Sequence, residues 1–247
     1  MLDLDIITSI IIIILSIFQT VAGIGILVLG TPILLLMGFG MIDVMIILLP
    51  LSVLNSFLNI LFLKYKQNEV TIDNQIKKYF FLICFPGVFL GLIFLKYLAE
   101  FINFNVLVSL VIWIVLFSSF LHKKNNLSFL ANLKKSIIFL TGFIHGLTNS
   151  GGSLLSILII ETYKKNVNFL RYQIIFFYFF LALFQYLSII LINNLNFFSG
   201  MQVDYFFSLV IGVVIGNILS RKVNNVQFKM IIFLLAFLSS IFLLIEA

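Results

Sequence analysis

Eight stretches of this 247-residue chain contain no Asp, Glu, Lys or Arg: 6–42, 44–63, 79–95, 101–121, 136–160, 172–203, 205–220 and 230–245. A membrane-spanning helix needs about 20 such residues, so the pattern points to an all-α integral membrane protein. Charged residues make up 10% of the chain, against about 25% in a typical soluble domain, too few to cover a water-facing surface. The net charge of +6 does not mark a nucleic-acid partner, because the cations sit in short loops beside apolar runs. There they act as orientation signals in a lipid bilayer. The single cysteine, Cys84, excludes an internal disulfide or a two-cysteine thiol relay. The sequence shows no metal-ligand cluster and no nucleotide-binding motif, so neither metal nor cofactor is expected, and any transport would be secondary, driven by an ion gradient, or facilitated down the solute's own gradient.

Lys64, Lys66, Lys77 and Lys78 lie between the second and third stretches, and Lys123, Lys124, Lys134 and Lys135 between the fourth and fifth. Lys164, Lys165 and Arg171 follow the fifth, and Arg221, Lys222 and Lys229 precede the last, which leaves only Lys96 for the other side. The positive-inside rule makes these loops cytoplasmic and puts both termini outside. The opening Met1-Leu2-Asp3-Leu4-Asp5 has no basic segment, so the first apolar run is expected to be retained rather than cleaved as a signal. The same parity makes 6–37 and 136–161 leave and return on one side. Both are interrupted, by Ala22-Gly23-Ile24-Gly25 and by Thr148-Asn149-Ser150-Gly151-Gly152-Ser153, and glycine weakens a continuous helix. Arms of about 12 to 15 residues reach roughly 18 to 22 Å, short of the roughly 30 Å hydrocarbon core. Re-entrant hairpins are expected; two short full crossings in each place meet the same parity.

Setting Gly25 over Gly151 offsets the halves by about 126 residues and aligns their hydropathy. Residues 1–122 then form a first repeat with hairpin 6–37 and spans 43–63, 77–95 and 101–121. A cytoplasmic linker, 123–135, leads to a second repeat, 136–247, with hairpin 136–161 and spans 170–192, 203–220 and 229–246. Three crossings per half bring the second in from the opposite face. Two inverted repeats, each a broken hairpin followed by three spans, are an arrangement that transporters use.

A helix that begins at mid-membrane presents unpaired backbone N–H groups and the positive end of its dipole. Irregular backbone at that depth persists only where protein buries it or a cavity adjoins it. The arms starting near Gly25 and Gly152 therefore predict a site for a small anion, surrounded by Gly23, Gly25, Asn149, Ser150, Gly151, Gly152 and Ser153. Ser52, Asn55, Ser56 and Asn59 share one helical face, and the offset carries Ser52 to Tyr178 and Asn59 to Gln185. Asn55, Asn59, Tyr178 and Gln185 are expected along the path, with helix packing an equal reading of that stripe. His145 is the one ionisable side chain far from both membrane edges. An imidazole there suits proton coupling, or a neutral hydrogen bond to the broken backbone. Without a deep carboxylate or a nucleophile beside it, an intramembrane enzyme is not expected.

Ala22-Gly23-Ile24-Gly25 with Pro32 beyond it, and Gly142-Phe143-Ile144-His145-Gly146-Leu147-Thr148-Asn149-Ser150-Gly151-Gly152 in the other half, resemble the sulfite exporter TauE/SafE family. The resemblance covers nearly the whole chain. It implies a cytoplasmic-membrane transporter of small sulfur-containing anions such as sulfite, sulfoacetate or other organosulfonates, often an exporter. The residues themselves argue for an anion and do not specify sulfur. The alternatives are a transporter of a different small solute and a non-transporting membrane partner that assembles another protein. Phe-rich faces would allow a homodimer within the bilayer.

Overall fold

The computed structural model describes residues 2–66, 72, 74–98, 103–121, 134–163, 165–194 and 202–246. Most of the expected linker, residues 123–133, lies outside the described residues. Among the described residues every regular element is helical: α1 Leu2–Ala22, α2 Ile26–Leu36, α3 Met41–Lys66, α4 Asn74–Tyr79, α5 Phe85–Leu98, α6 Phe104–Leu121, α7 Lys134–Thr148, α8 Gly151–Thr162, α9 Val167–Asn193, α10 Val203–Ser220 and α11 Asn225–Glu246. A π-helical turn, Phe80–Cys84, joins α4 to α5 without interruption. Six segments among the described residues are long and apolar enough to cross a membrane, in α1, α3, α4 through α5, α9, α10 and α11. The chain is an all-α integral membrane protein.

The first hairpin departs from the expected pair of short arms. Its first arm, α1, has 21 residues, or about 31 Å at 1.5 Å per residue, enough to cross the hydrocarbon core. The helix begins before the charge-free run and takes in Asp5, since an acidic side chain near a helix N-terminus is favoured by the positive end of the dipole. The other arms are short. With 11 residues in α2, 15 in α7 and 12 in α8, they reach about 16, 22 and 18 Å.

The helices pack through small residues. Water supplies no hydrophobic drive between helices in lipid, so close backbone approach and polar contacts hold them together. Along α10, Gly212 and Gly216 lie one turn apart and face Ser16 and Thr20 of α1. Along α5, Gly87 and Gly91 face α7 over Gly142 and Gly146. The outer side of α10 carries Phe207, Ile211, Val214 and Ile218, all exposed, at the spacing of a single lipid-facing stripe. The two pairings are reciprocal: the first arm of each hairpin lies against the second span following the other hairpin. Between them α3 packs on α9, and α2 on α3 and α11. The short second arms, α2 and α8, are thereby enclosed by protein along most of their length.

Candidate functional site at the two helix breaks

Both breaks turn through a left-handed residue, Gly23 at φ +87° and Asn149 at φ +60°, positions separated by the 126-residue offset. At each, the turning N–H bonds back one helical turn, Gly23 N to Gln19 O at 2.8 Å and Asn149 N to His145 O at 2.9 Å. Gly23 has a second reason to lack a side chain, since a Cβ there would stand 2.8 Å from Ile174 Cγ2. Asn149 is tolerated in this region because its short amide finds local partners. Its Nδ2 donates to Thr31 Oγ1 at 2.9 Å, and its Oδ1 accepts from Gln185 Nε2 at 2.8 Å.

Each second arm then doubles back tightly on the first. A Cβ on Gly25 would meet Gln19 N at 2.7 Å and Leu15 O at 2.9 Å; one on Gly151 would meet His145 N at 2.9 Å and Thr141 O. These are the same contacts at the same offset. Gly152 lies against the Tyr178 ring. The glycines of the breaks thus give their Cα faces to protein backbone and side chains. Ser150 and Ser153 also serve the local turn, Ser150 Oγ donating to Thr148 O at 3.2 Å and Ser153 Oγ to Ser150 O at 2.6 Å.

Around the first break the polar side chains satisfy one another. Gln19 Nε2 donates to Ser52 O at 3.0 Å and lies within 3.2 Å of the Ser52 and Ser56 hydroxyls. Gln19 Oε1 accepts from Ile26 N at 3.2 Å, so this glutamine supplies the missing partner of the first N–H of α2. Asn59 Nδ2 donates to Thr20 Oγ1 at 3.0 Å and Asn55 Oδ1 at 2.7 Å, and Asn55 Nδ2 to Ser16. The stripe on α3 is therefore a hydrogen-bonded seam against α1.

The second break is different. His145 Nδ1 and Nε2, Tyr178 Oη, Gln185 Oε1 and Thr141 Oγ1 are all buried without a hydrogen-bond partner. Buried polar groups in folded proteins nearly always have partners, and those that do not call for a ligand, ion or water. The His145 and Tyr178 rings meet near edge-to-face, 6.0 Å between centroids. The Tyr178 hydroxyl is directed at the N–H groups of Leu27 and Val28 and the Ser52 hydroxyl, but no contact reaches good hydrogen-bond geometry. It thus connects the second break to the N-terminus of α2.

The offset explains the contrast. Asn55 and Ser56 correspond to Leu181 and Ala182, so α9 offers apolar side chains where α3 offers partners. Gln185, the counterpart of Asn59, uses its Nε2 on His145 O and Asn149 Oδ1 and leaves Oε1 spare. The residues of both breaks, with Asn55, Asn59, Tyr178 and Gln185, are buried and closed off from solvent. Thr31 and Thr141 were not singled out by the sequence pattern, because a lone threonine in an apolar run has no distinguishing period. Arg171, counted in the sequence among loop cations, is inside α9 and only 3% exposed.

The helical composition, the membrane-crossing segments and the two enclosed breaks define a polytopic membrane protein with a polar centre. Residues 8–243 match the family described as Sulfite exporter TauE/SafE. The chain belongs to that family, which is one of membrane transporters. No curated protein and no solved structure matches it.

Proposed function

We propose that the protein is a secondary transporter of a small anion, a sulfur-containing oxyanion or organosulfonate, working by alternating access around the two breaks. One observation carries the reading: buried, unpartnered polar atoms of His145, Tyr178, Gln185 and Thr141 gather where α7 breaks, with Tyr178 directed at the start of α2. Gly23, Gly25, Gly151 and Gly152 bring the short arms close enough to frame that point, and Asn149, Ser150 and Ser153 hold the turn of the second break. The reciprocal packing of α1 on α10 and α7 on α5 supports two inverted repeats, in which closure on one side accompanies opening on the other. In the closed arrangement Asn55 and Asn59 tie α1 to α3; opening exposes that seam as part of the path. His145 is the group placed to take up a proton with the anion. The lysine-rich loops orient the chain with both termini outside the inner membrane.

The test is flux of labelled sulfite, sulfoacetate, thiosulfate, sulfate and acetate into proteoliposomes carrying the purified protein. Saturable flux of a sulfur oxyanion that His145→Leu abolishes is the expected result. Folded protein that moves none of these anions overturns the reading and leaves a different solute or an assembly role.

A further inference from the structure

A cleft of about 770 Å³ opens where α9 and α11 begin and α10 ends, on the face that carries Arg221 and Lys222. Its wall contains Arg171, Arg221 and five asparagines, among them Asn166, Asn217, Asn224 and Asn225, and no acidic residue. Asn166 and Asn224 cap helices: Asn166 Oδ1 accepts from Phe169 N, and Asn224 Oδ1 from Gln227 N, both at 2.9 Å. The positive ends of two long helices therefore meet two guanidinium groups at one opening.

Arg171 is the decisive residue. Its Nε donates to Val21 O at 2.9 Å and its Nη2 to Ser220 O at 3.2 Å. Its guanidinium also stands over the Phe228 ring, 5.8 Å from the centroid. These contacts use two of the five N–H donors of the group, and no carboxylate lines the cleft beside the buried charge. A buried cation held only by carbonyls keeps most of its charge for a mobile partner. Arg171 also joins the cleft to the interior, because Val21 is two residues before the Gly23 turn. Asn217 provides a second link, donating to Asn59 Oδ1 at 3.4 Å and so reaching the seam between α1 and α3.

Resting on the transport reading above, we propose that this cleft is the loading vestibule for the translocated oxyanion, with Arg171 selecting its charge before it reaches the breaks. Before His145 takes up a proton the central cluster supplies only neutral donors and acceptors; the vestibule supplies the fixed positive charge that separates an oxyanion from a neutral solute of the same size.

The test measures the half-saturation concentration for labelled sulfite offered separately at each membrane face. Arg171→Gln is expected to raise it about tenfold or more at the vestibule face. Because Arg171 also ties α1 to α10, a second variant carries the test independently: Asn166→Asp with Asn224→Asp keeps both helix caps and adds two negative charges to the cleft. It should raise the same value at least roughly threefold, with the effect shrinking as salt rises. Wild-type sulfite flux with a half-saturation that neither variant changes overturns this inference alone. An effect present only in vesicles containing phosphatidylglycerol, and absent in pure phosphatidylcholine, assigns the cleft to a lipid phosphate and also overturns it. Wild-type protein that neither binds nor moves sulfite overturns the transport reading and this one together.

Discussion

The two helix breaks turn through equivalent left-handed residues and have opposite polar states. Gly23 and Asn149 turn the chain in the same way, and Gly25 and Gly151 rest on equivalent atoms of their own first arms. Yet Gln19 is bonded to Ser52, Ser56 and the first N–H of α2, whereas His145, at the corresponding place, has no partner for either ring nitrogen. The 126-residue offset sets Asn55 and Ser56 against Leu181 and Ala182 on the span that follows, so polar partners close the first break and apolar side chains leave the second open. The second break holds the groups with bonding capacity to spare.

The comparison can be broken most forcefully at the shared scaffold. Gly152→Leu drives a side chain into the Tyr178 ring and is expected to cost about 3 kcal/mol or more, read as lost thermal stability in detergent together with lost flux. If the variant is as stable as the wild type, the tight meeting of α8 and α9 is wrong.

The contrast itself is tested by paired leucine substitutions. Gln19→Leu strands the Ser52 and Ser56 hydroxyls and the Ile26 N–H and should cost about 3 kcal/mol. His145→Leu removes only the approach of the ring to the Asn149 backbone, which falls short of hydrogen-bond geometry, and should change stability by less than about 1 kcal/mol while abolishing transport. Equal stability losses would erase the distinction between the two breaks.

A third pair separates backbone strain from packing. A Cβ on Gly38, at φ +88°, would meet nothing within 4 Å, whereas one on Gly23, at φ +87°, would press on Ile174 and Ile175. Alanine at Gly38 should cost about 1 kcal/mol from the left-handed conformation alone, and alanine at Gly23 about 1 to 3 kcal/mol more. Unfolding curves of the two variants give the difference directly.

The smallest effect sharpens the comparison by grafting one half onto the other. Ala182→Ser restores on α9 the hydroxyl that Ser56 offers on α3. It should stabilise the protein by about 0.5 to 1 kcal/mol through a new bond to His145, and slow transport as that ring loses its freedom. A rise in stability with unchanged flux would remove His145 from the working centre.

Much of the fold was legible because lipid imposes a strict rule: backbone polar groups must be satisfied within the segment, so a long charge-free run in this chain reads as helix. The breaks were legible for the converse reason, since Gly23, Gly25, Gly151 and Gly152 interrupt runs too long for one crossing. The start of α1 was not, because charge-free counting stops at Asp5, while a helix N-terminus accepts acidic residues readily. The Gly87–Gly91 and Gly212–Gly216 pairs each match the spacing of close helix packing, but a sequence does not say which helix each pair meets.

The candidate site was legible in outline and not in balance. Ser52, Asn55, Ser56 and Asn59 attract attention as polar residues in a span, and the structure gives those side chains to one another and to α1. Tyr178 and Gln185 came from the repeat offset alone, and they are the ones with unused atoms. Arg171 looks like any loop cation until α9 is seen to begin at Val167 and bury it.

The sequence by itself determined that the chain lives in a bilayer, that it is helical and that two of its apolar runs are interrupted, because these follow from how many consecutive residues lack charge and where glycine falls. Only the tertiary structure decided which polar groups are spent and which are free. A hydrogen bond depends on two atoms brought within about 3 Å, and residues such as Gln19 and Ser52, or Arg171 and Val21, are neighbours only after the helices have packed.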